Sequence, residues 1–297
     1  MRAQMTGWAA PAPGRDGTGR SPNLTPMSPP AAPPPGPVTL GDTVADLEAE
    51  HAELDALLAP LDEAAWALAT PAAGWAVRDQ VSHLAFFDEA ADLAMRDPGR
   101  FAALAEALVG AEGDPMEEHL RRGRALAGHE VLAWWRRARG AMVRQVAALE
   151  PGARIPWFGP PMGPLSFVSA RLMETWAHGQ DVADALGVVR PPTARLRHVA
   201  HLGVRARGFS YAVRGLAVPP TPVRVELEGP GGEHWSWDAD AATTDAVTGS
   251  ALEFCLVVTQ RRHPDDTALH VEGDGAQEWL AIAQAFAGPP GPGRPPR

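Results

Sequence analysis

"RLMETWAHGQDVADAL", residues 171–186, sets Glu174, His178 and Asp181 at positions i, i+4 and i+7. That spacing stacks the three side chains on one side of a helix. Measured from Glu174, helical angles bring Phe167, Arg171, His178, Asp181 and Ala185 near one line, while Leu165, Val168, Leu172 and Trp176 fall nearly opposite. Two readings follow. The stripe is either the solvated face of an amphipathic helix, or part of a metal site whose remaining ligand lies elsewhere in the chain.

Working outward, three more helical patterns precede it. "TVADLEAEHAELDALLAPL", from Thr43, spaces Val44, Leu47, Leu54, Leu57 and Leu58 helically until Pro60 stops the run. "GWAVRDQVSHLAFFDEAADLAM", from Gly74, is the second and ends near Pro98, and a third runs from about Pro115 to Leu149. Four long amphipathic helices over 39–187 predict a bundle, the architecture in which metal sites are built from inward residues on facing helices. "PGARIPWFGPPMGP", 151–164, is too rich in proline and glycine for regular structure and can edge a pocket.

After Arg190-Pro191-Pro192 the texture changes. A helix over about 193–214 leads to "VRVELEG", where Val223, Val225 and Leu227 alternate with charged residues as in a half-buried strand. "HWSWDA" and "ALHVEG" offer further strands; "GSALEFCLVVTQ", with Ser250 and Glu253 in capping-box register, and "GAQEWLAIAQAF" read as helices. The predicted fold class is therefore α+β, with a helical bundle over 39–187 and a small mixed α/β domain over 188–288. Ten of the 31 prolines fall in residues 1–38 and five more after residue 288, so both ends are expected to be disordered tails.

Composition narrows the function. With 297 residues, 45% of them hydrophobic, the chain can bury a sizeable core. All 26 basic residues are arginine, which removes lysine chemistry: no Schiff base, no P-loop lysine, no ammonium general base. A net charge of -10 argues against nucleic acid as a partner. The single cysteine, Cys255, allows no intrachain disulfide or all-cysteine zinc site. It sits in the apolar run "ALEFCLVV" as a buried hydrophobe would. Neither a signal peptide nor a membrane span is recognisable, and the protein is expected in the cytoplasm.

His83 shares its helix side with Phe86, Phe87, Ala90 and Ala94, so its imidazole is expected to face an apolar interior. A buried histidine is commonly satisfied by a hydrogen bond alone. A bundle that brings His83 to Glu174 and His178 would instead complete two histidines and one carboxylate, three protein ligands with positions left for water or substrate.

"GWAVRDQVSHLA" and "METWAHGQDVADALG" resemble the two signature helices of the DinB-like metal-binding bundle, in the branch that contains mycothiol-dependent maleylpyruvate isomerase. The resemblance covers most of residues 40–187 and implies metal ligation by His83, Glu174 and His178. Relatives with three histidines are common, and Glu174 places this chain in the carboxylate branch. The part after residue 190 resembles sterol-carrier-like and wyosine-base-formation modules. It further implies an arginine from the second domain at an interdomain cleft, for which Arg261 or Arg262 in "TQRRHPDD" is the best match; the helix dipole would favour cations there in any case. Asp181 can accept the second ring proton of His178, or cap a neighbouring loop. Arg171 can grip an anionic substrate or cofactor, or pair with a carboxylate. The other histidines and Trp75, Trp134 and Trp135 read as surface, core or rim residues.

The leading functional expectation is an enzyme in which a divalent metal, zinc above all, activates the thiol of a small cofactor such as mycothiol for isomerisation or transfer on a small-molecule substrate. A lysine-free chain rich in Arg, Ala and Pro also resembles the products of GC-rich actinobacterial genomes. The alternatives are a metal-dependent hydrolase working through bound water, and a non-catalytic binder of metal or small ligand.

Overall fold

A computed structural model describes residues 38–110, 117–150, 152–291 and 293–296. The predicted N-terminal tail lies, but for its last residue, outside the described residues. The helical part consists of α1 (Leu40–Leu58), α2 (Glu63–Trp66), α3 (Val77–Arg96), α4 (Pro98–Gly110), α5 (Glu117–Arg124), α6 (Gly128–Ala147) and α7 (Pro164–Leu186). Helices α1, α3, α6 and α7 pack on one another as the bundle. Thr39 and Asp42 close a reciprocal capping box at the start of α1. Pro98 does not end the second helical pattern in coil: Asp97 accepts a bond from the Arg100 amide and launches α4.

The third predicted helix is two. Ala127 is extended, and its amide donates to the Glu130 carboxylate, which restarts the chain as α6. The break carries no Ser, Thr, Asn or Asp at the cap, and so had no sequence signature. Gly128 is required there, because a Cβ would overlap the indole of buried Trp66.

Helix α7 is longer than the stretch that announced it. Pro164 occupies its first turn and Gly187, at φ 67°, closes it in the left-handed conformation. It has no wet face of the kind expected for an amphipathic surface helix: Phe167, Arg171, His178 and Asp181 are buried along with Val168, Leu172 and Trp176. The charged stripe is interior, and each of its charges must find a partner.

Beyond α7 come α8 (Leu196–Arg205), α9 (Arg207–Ala212), β1 (Arg224–Glu228), β2 (His234–Trp237), β3 (Ala246–Ser250), α10 (Ala251–Val258), β4 (His270–Glu272) and α11 (Asp274–Ile282). The four strands form one sheet in the order β2-β1-β3-β4, with β1 and β3 parallel and both outer pairs antiparallel. The architecture is α+β, as the sequence predicts. Strand β3 was not anticipated, since "AVTGS" is short and half polar. Ser250 does precede α10, but makes no side-chain cap; Glu253 instead accepts from the Ala268 amide.

Bundle and sheet share material. One apolar cluster joins Phe167, Leu172 and Trp176 of α7 to Val225, Val247, Phe254 and Trp279, and residues 38–297 form one compact unit. Arg190 and Arg195 reinforce the joint by pairing with Glu50 and Glu53 of α1. The predicted C-terminal tail does not stand free: Arg294 reaches back 2.6 Å to the buried Asp181.

Candidate metal centre

The site is assembled from α3 and α7. On α3, Gln80, His83 and Phe87 lie at i, i+3 and i+7 and share one face. On α7, Glu174 and His178 lie one turn apart and project toward them. Each of His83, Glu174 and His178 offers a ligand atom, and these atoms lie within 4.8 Å of one another. His178 Nε2 is 3.3 Å from Glu174 Oε2, and the two imidazoles lie 4.5 Å apart between ring centres.

A hydrogen-bond chain behind His178 fixes which nitrogen faces inward. The Thr70 hydroxyl donates to the Trp75 carbonyl at 2.9 Å and so accepts from the Gln80 amide nitrogen at 2.8 Å. The Gln80 carbonyl oxygen must then point at His178 Nδ1, 2.5 Å away, and Nδ1 is the donor. In the neutral ring this leaves the Nε2 lone pair facing the Glu174 carboxylate. At 3.3 Å the contact is met either by a proton on Nε2 shared with the carboxylate or by a cation that both groups ligate. Together with a second imidazole, this donor set fits a divalent metal of the zinc type. Gln80 bonds His178 Nδ1, the first of the two roles weighed for Asp181, and Asp181 is held instead by Arg261 and Arg294.

Trp75 covers the pair, stacked at 14° and 6.0 Å over His178 and tilted at 5.3 Å from His83. It is positioned by the turn before α3, where Ala69 and Ala76 pair and the Asp79 carboxylate, held by Arg124, accepts from the Ala76 amide. Phe87 lies 4.5 Å from His83 and touches Phe158 and Trp157 of the predicted pocket-edge loop.

The remaining predicted residues turn elsewhere. Arg171 is buried and grips Asp88 at 2.8 Å, with Trp135 donating to the same carboxylate at 3.2 Å. Burial pushes the Asp88 carboxyl up, and Arg171 pulls it back. Of the two roles weighed for Arg171, the structure displays carboxylate pairing. Arg261 bonds the Ala177 carbonyl and Asp181, and Arg262 pairs with Asp184 at 2.7 Å. Both arginines thus clasp α7, the helix that carries Glu174 and His178. Cys255 is fully buried, donates weakly to the Leu196 carbonyl and has its thiol pushed well up by burial; it is no nucleophile. Trp134 and Trp135 are core, His51 is buried, and the His119 side chain lies outside the described residues. Two clefts of about 60 and 250 Å³ sit in the α/β part, and neither is lined by a member of the triad. The chemistry of the donor set is the better guide to the site than cleft size.

Sequence reasoning missed Gln80 and Thr70. The only available signal for Gln80 was its place three residues before His83 on one helix face, and Thr70 had none.

Comparison with known proteins bears on the same region. Residues 47–183 match the family described as the mycothiol maleylpyruvate isomerase N-terminal domain. The uncharacterized protein Rv0036c of Mycobacterium tuberculosis strain H37Rv is 48% identical over 255 residues, which cover 86% of this chain and 98% of the relative. Protein MT0041 of strain CDC 1551 gives the same figures. Among solved structures, mycothiol-dependent maleylpyruvate isomerase aligns with a TM-score of 0.52 at 15% identity, covering 75% of this chain and 90% of the enzyme. A histidine-to-alanine variant of that enzyme aligns equally well at 14% identity. At such identities the likeness is one of fold.

Proposed function

This chain belongs to the mycothiol maleylpyruvate isomerase N-terminal domain family, and on that premise we propose that it is a metal-dependent enzyme using a small external thiol, mycothiol in the first place, for isomerisation or thiol transfer. The observation that carries the reading is the convergence of His83, Glu174 and His178 within 4.8 Å, with Gln80 orienting His178 from behind. Zinc held there would lower the pKa of a bound thiol and keep it as a thiolate near neutral pH.

The chain's own residues define the rest. Glu174 contributes one negative charge to the donor set, and the two histidines contribute none, so a divalent cation keeps net positive charge with which to hold a thiolate. Gln80 keeps the proton of His178 on Nδ1 and thereby keeps Nε2 available as a ligand. Trp75 and Phe87 flank the imidazoles with apolar surface, which lowers the local polarity and strengthens electrostatic interactions at the site. Arg261 and Arg262 act on α7 as positioning groups through Asp181 and Asp184. Cys255 is unsuited to supply the nucleophile, consistent with a thiol brought from outside.

The test is metal content and thiol response together. Purified protein should carry about one divalent ion per chain, and His83→Ala and His178→Ala should each lose most of it, since two ligands hold far less than three. Mycothiol added to the cobalt-substituted protein should produce a sulfur-to-metal charge-transfer band that Cys255→Ser retains. Full metal retention in both histidine variants, or cobalt protein silent to mycothiol, would overturn the reading.

A further inference from the structure

We propose that the smaller of the two clefts, about 60 Å³, is a second binding site that takes a small tetrahedral oxyanion, phosphate above all, between the end of α10 and the C-terminal segment. The site stands apart from the metal centre, none of whose three ligands lines it. Its walls carry Arg214 from the turn after α9, Arg262 and His263 from the turn after α10, and Arg294 from the C-terminal segment. Among the described residues no Asp or Glu lines it. The space corresponds to about two waters, or to one oxyanion in their place.

Local structure sets each wall. Gly293, at φ 68°, takes a left-handed turn open to glycine, and the next residue, Arg294, reaches Asp181. Arg214 donates through Nη1 to the Ser210 carbonyl at 3.1 Å and to the side-chain oxygen of buried Gln284 at 3.4 Å, and has no carboxylate partner among the described residues. His263 Nδ1 accepts from the Asp265 amide at 3.2 Å, so the neutral ring carries its proton on Nε2 as a donor. Gln260 spends its amide nitrogen on the Ala283 carbonyl at 3.0 Å, which leaves its oxygen for the remaining proton of a hydrogen phosphate.

Four carboxylates lie nearby, off the cleft wall. Asp181 holds Arg261 and Arg294, Asp184 holds Arg262, and Asp265 and Asp266 follow His263 in the chain. In formal charge they balance Arg214, Arg261, Arg262 and Arg294, so an anion is selected at short range, by the N–H donors that line the space. Crowding adds to this. Burial holds the Arg294 guanidinium below its ordinary range; Asp181 and Asp184 oppose the shift, and Arg261 and Arg262 deepen it. The Arg294 Nε–H is buried without an acceptor, an unmade bond that a low-dielectric setting makes costly. An oxyanion beside these groups relieves the repulsion and accepts from guanidinium forks, the geometry that suits phosphate.

Titration calorimetry of the full chain with inorganic phosphate, at neutral pH and constant ionic strength, reads the site directly. Phosphate should bind saturably, and glycerol 3-phosphate should compete with it. Tighter binding of the ester would assign the cleft to the end of a phosphorylated small molecule, and tighter binding of the free ion to phosphate itself. Arg214→Met should weaken binding roughly 10- to 100-fold, the range for one hydrogen bond to a charged group. Arg214→Lys, which keeps the charge without the fork and guards against a folding defect, should fall between. His178→Ala should retain phosphate affinity, because an ion held by the metal centre would be lost there. Arg205→Met, at the larger cleft, should also retain it, because attraction to arginine in general would weaken there too. No saturable binding, unchanged affinity in Arg214→Met, or affinity lost in His178→Ala or Arg205→Met would overturn the proposal.

Discussion

Replacing Gln80 with leucine tests the site where its support is thinnest. The side chain is fully buried and bridges Thr70 to His178 Nδ1. Leucine fills similar volume but offers no acceptor, so Nδ1–H loses its partner in a place water does not readily reach. The apo protein should lose about 1–3 kcal/mol, the cost of an unsatisfied buried donor. The metal should suffer separately, because the imidazole is no longer held with Nε2 inward. Loss of such an outer partner typically costs 10- to 100-fold in affinity, or about 1.4–2.8 kcal/mol. Zinc affinity is measured by competition with a chromophoric chelator, and apo stability by urea denaturation. Gln80→Glu supplies the opposite sign: it keeps an acceptor on Nδ1 and makes it anionic, so zinc affinity should equal or exceed that of the wild type. A folded Gln80→Leu protein with wild-type zinc affinity would refute the orienting role, as would equal weakening by both substitutions.

Three further outcomes are expected. Arg171→Met leaves the fully buried Asp88 with only the Trp135 indole, and should cost about 3–5 kcal/mol in urea denaturation; a loss under about 1 kcal/mol would mean the pair is not holding α3 to α7. Burial, aided by Arg139 and Arg171, lowers the pKa of His51 from 6.5 to about 3. The unfolded chain therefore takes up a proton below pH 6.5 that the folded chain refuses, and stability should fall with acidification by about 1.4 kcal/mol per pH unit, or about 2 kcal/mol by pH 5. In His51→Leu that component should vanish, and identical pH slopes in the two proteins would contradict it. Arg294→Ala should lower the melting temperature by roughly 2–4 °C through loss of about 1 kcal/mol at Asp181; no shift would mean the C-terminal segment contributes nothing.

The sequence was most informative where periodicity and chemistry coincide. The helically spaced runs of α1 and α3, and the Glu174–His178 pair, were legible because helical spacing alone puts those side chains together. What escaped depended on distant partners. Nothing local in "RALAGHE" distinguishes a break from a continuing helix; the break follows from Trp66 demanding Gly128 and from Glu63 accepting the Gly128 amide at 2.8 Å. The stripe of Arg171 and Asp181 looked solvated for the same reason: a charged residue reads as exposed until its counter-ion is known, and Asp88 and Arg294 lie 83 and 113 positions away. Strand β3 is held by pairing with β1 and β4 more than by its own composition.

The arginine clasps along α7 set a limit on how this chain can be recombined with its relatives. A crossover placed at Gly187, between the helical and mixed textures, would separate Asp181 and Asp184 from Arg261, Arg262 and Arg294, and Glu50 and Glu53 from Arg190 and Arg195. Each clasp would survive in a chimera only if both parents carry the matching halves. Residues 38–297 should therefore be exchanged as one cassette, and the insertion of foreign modules confined to exposed turns such as the one around Gly231 and Gly232 between β1 and β2.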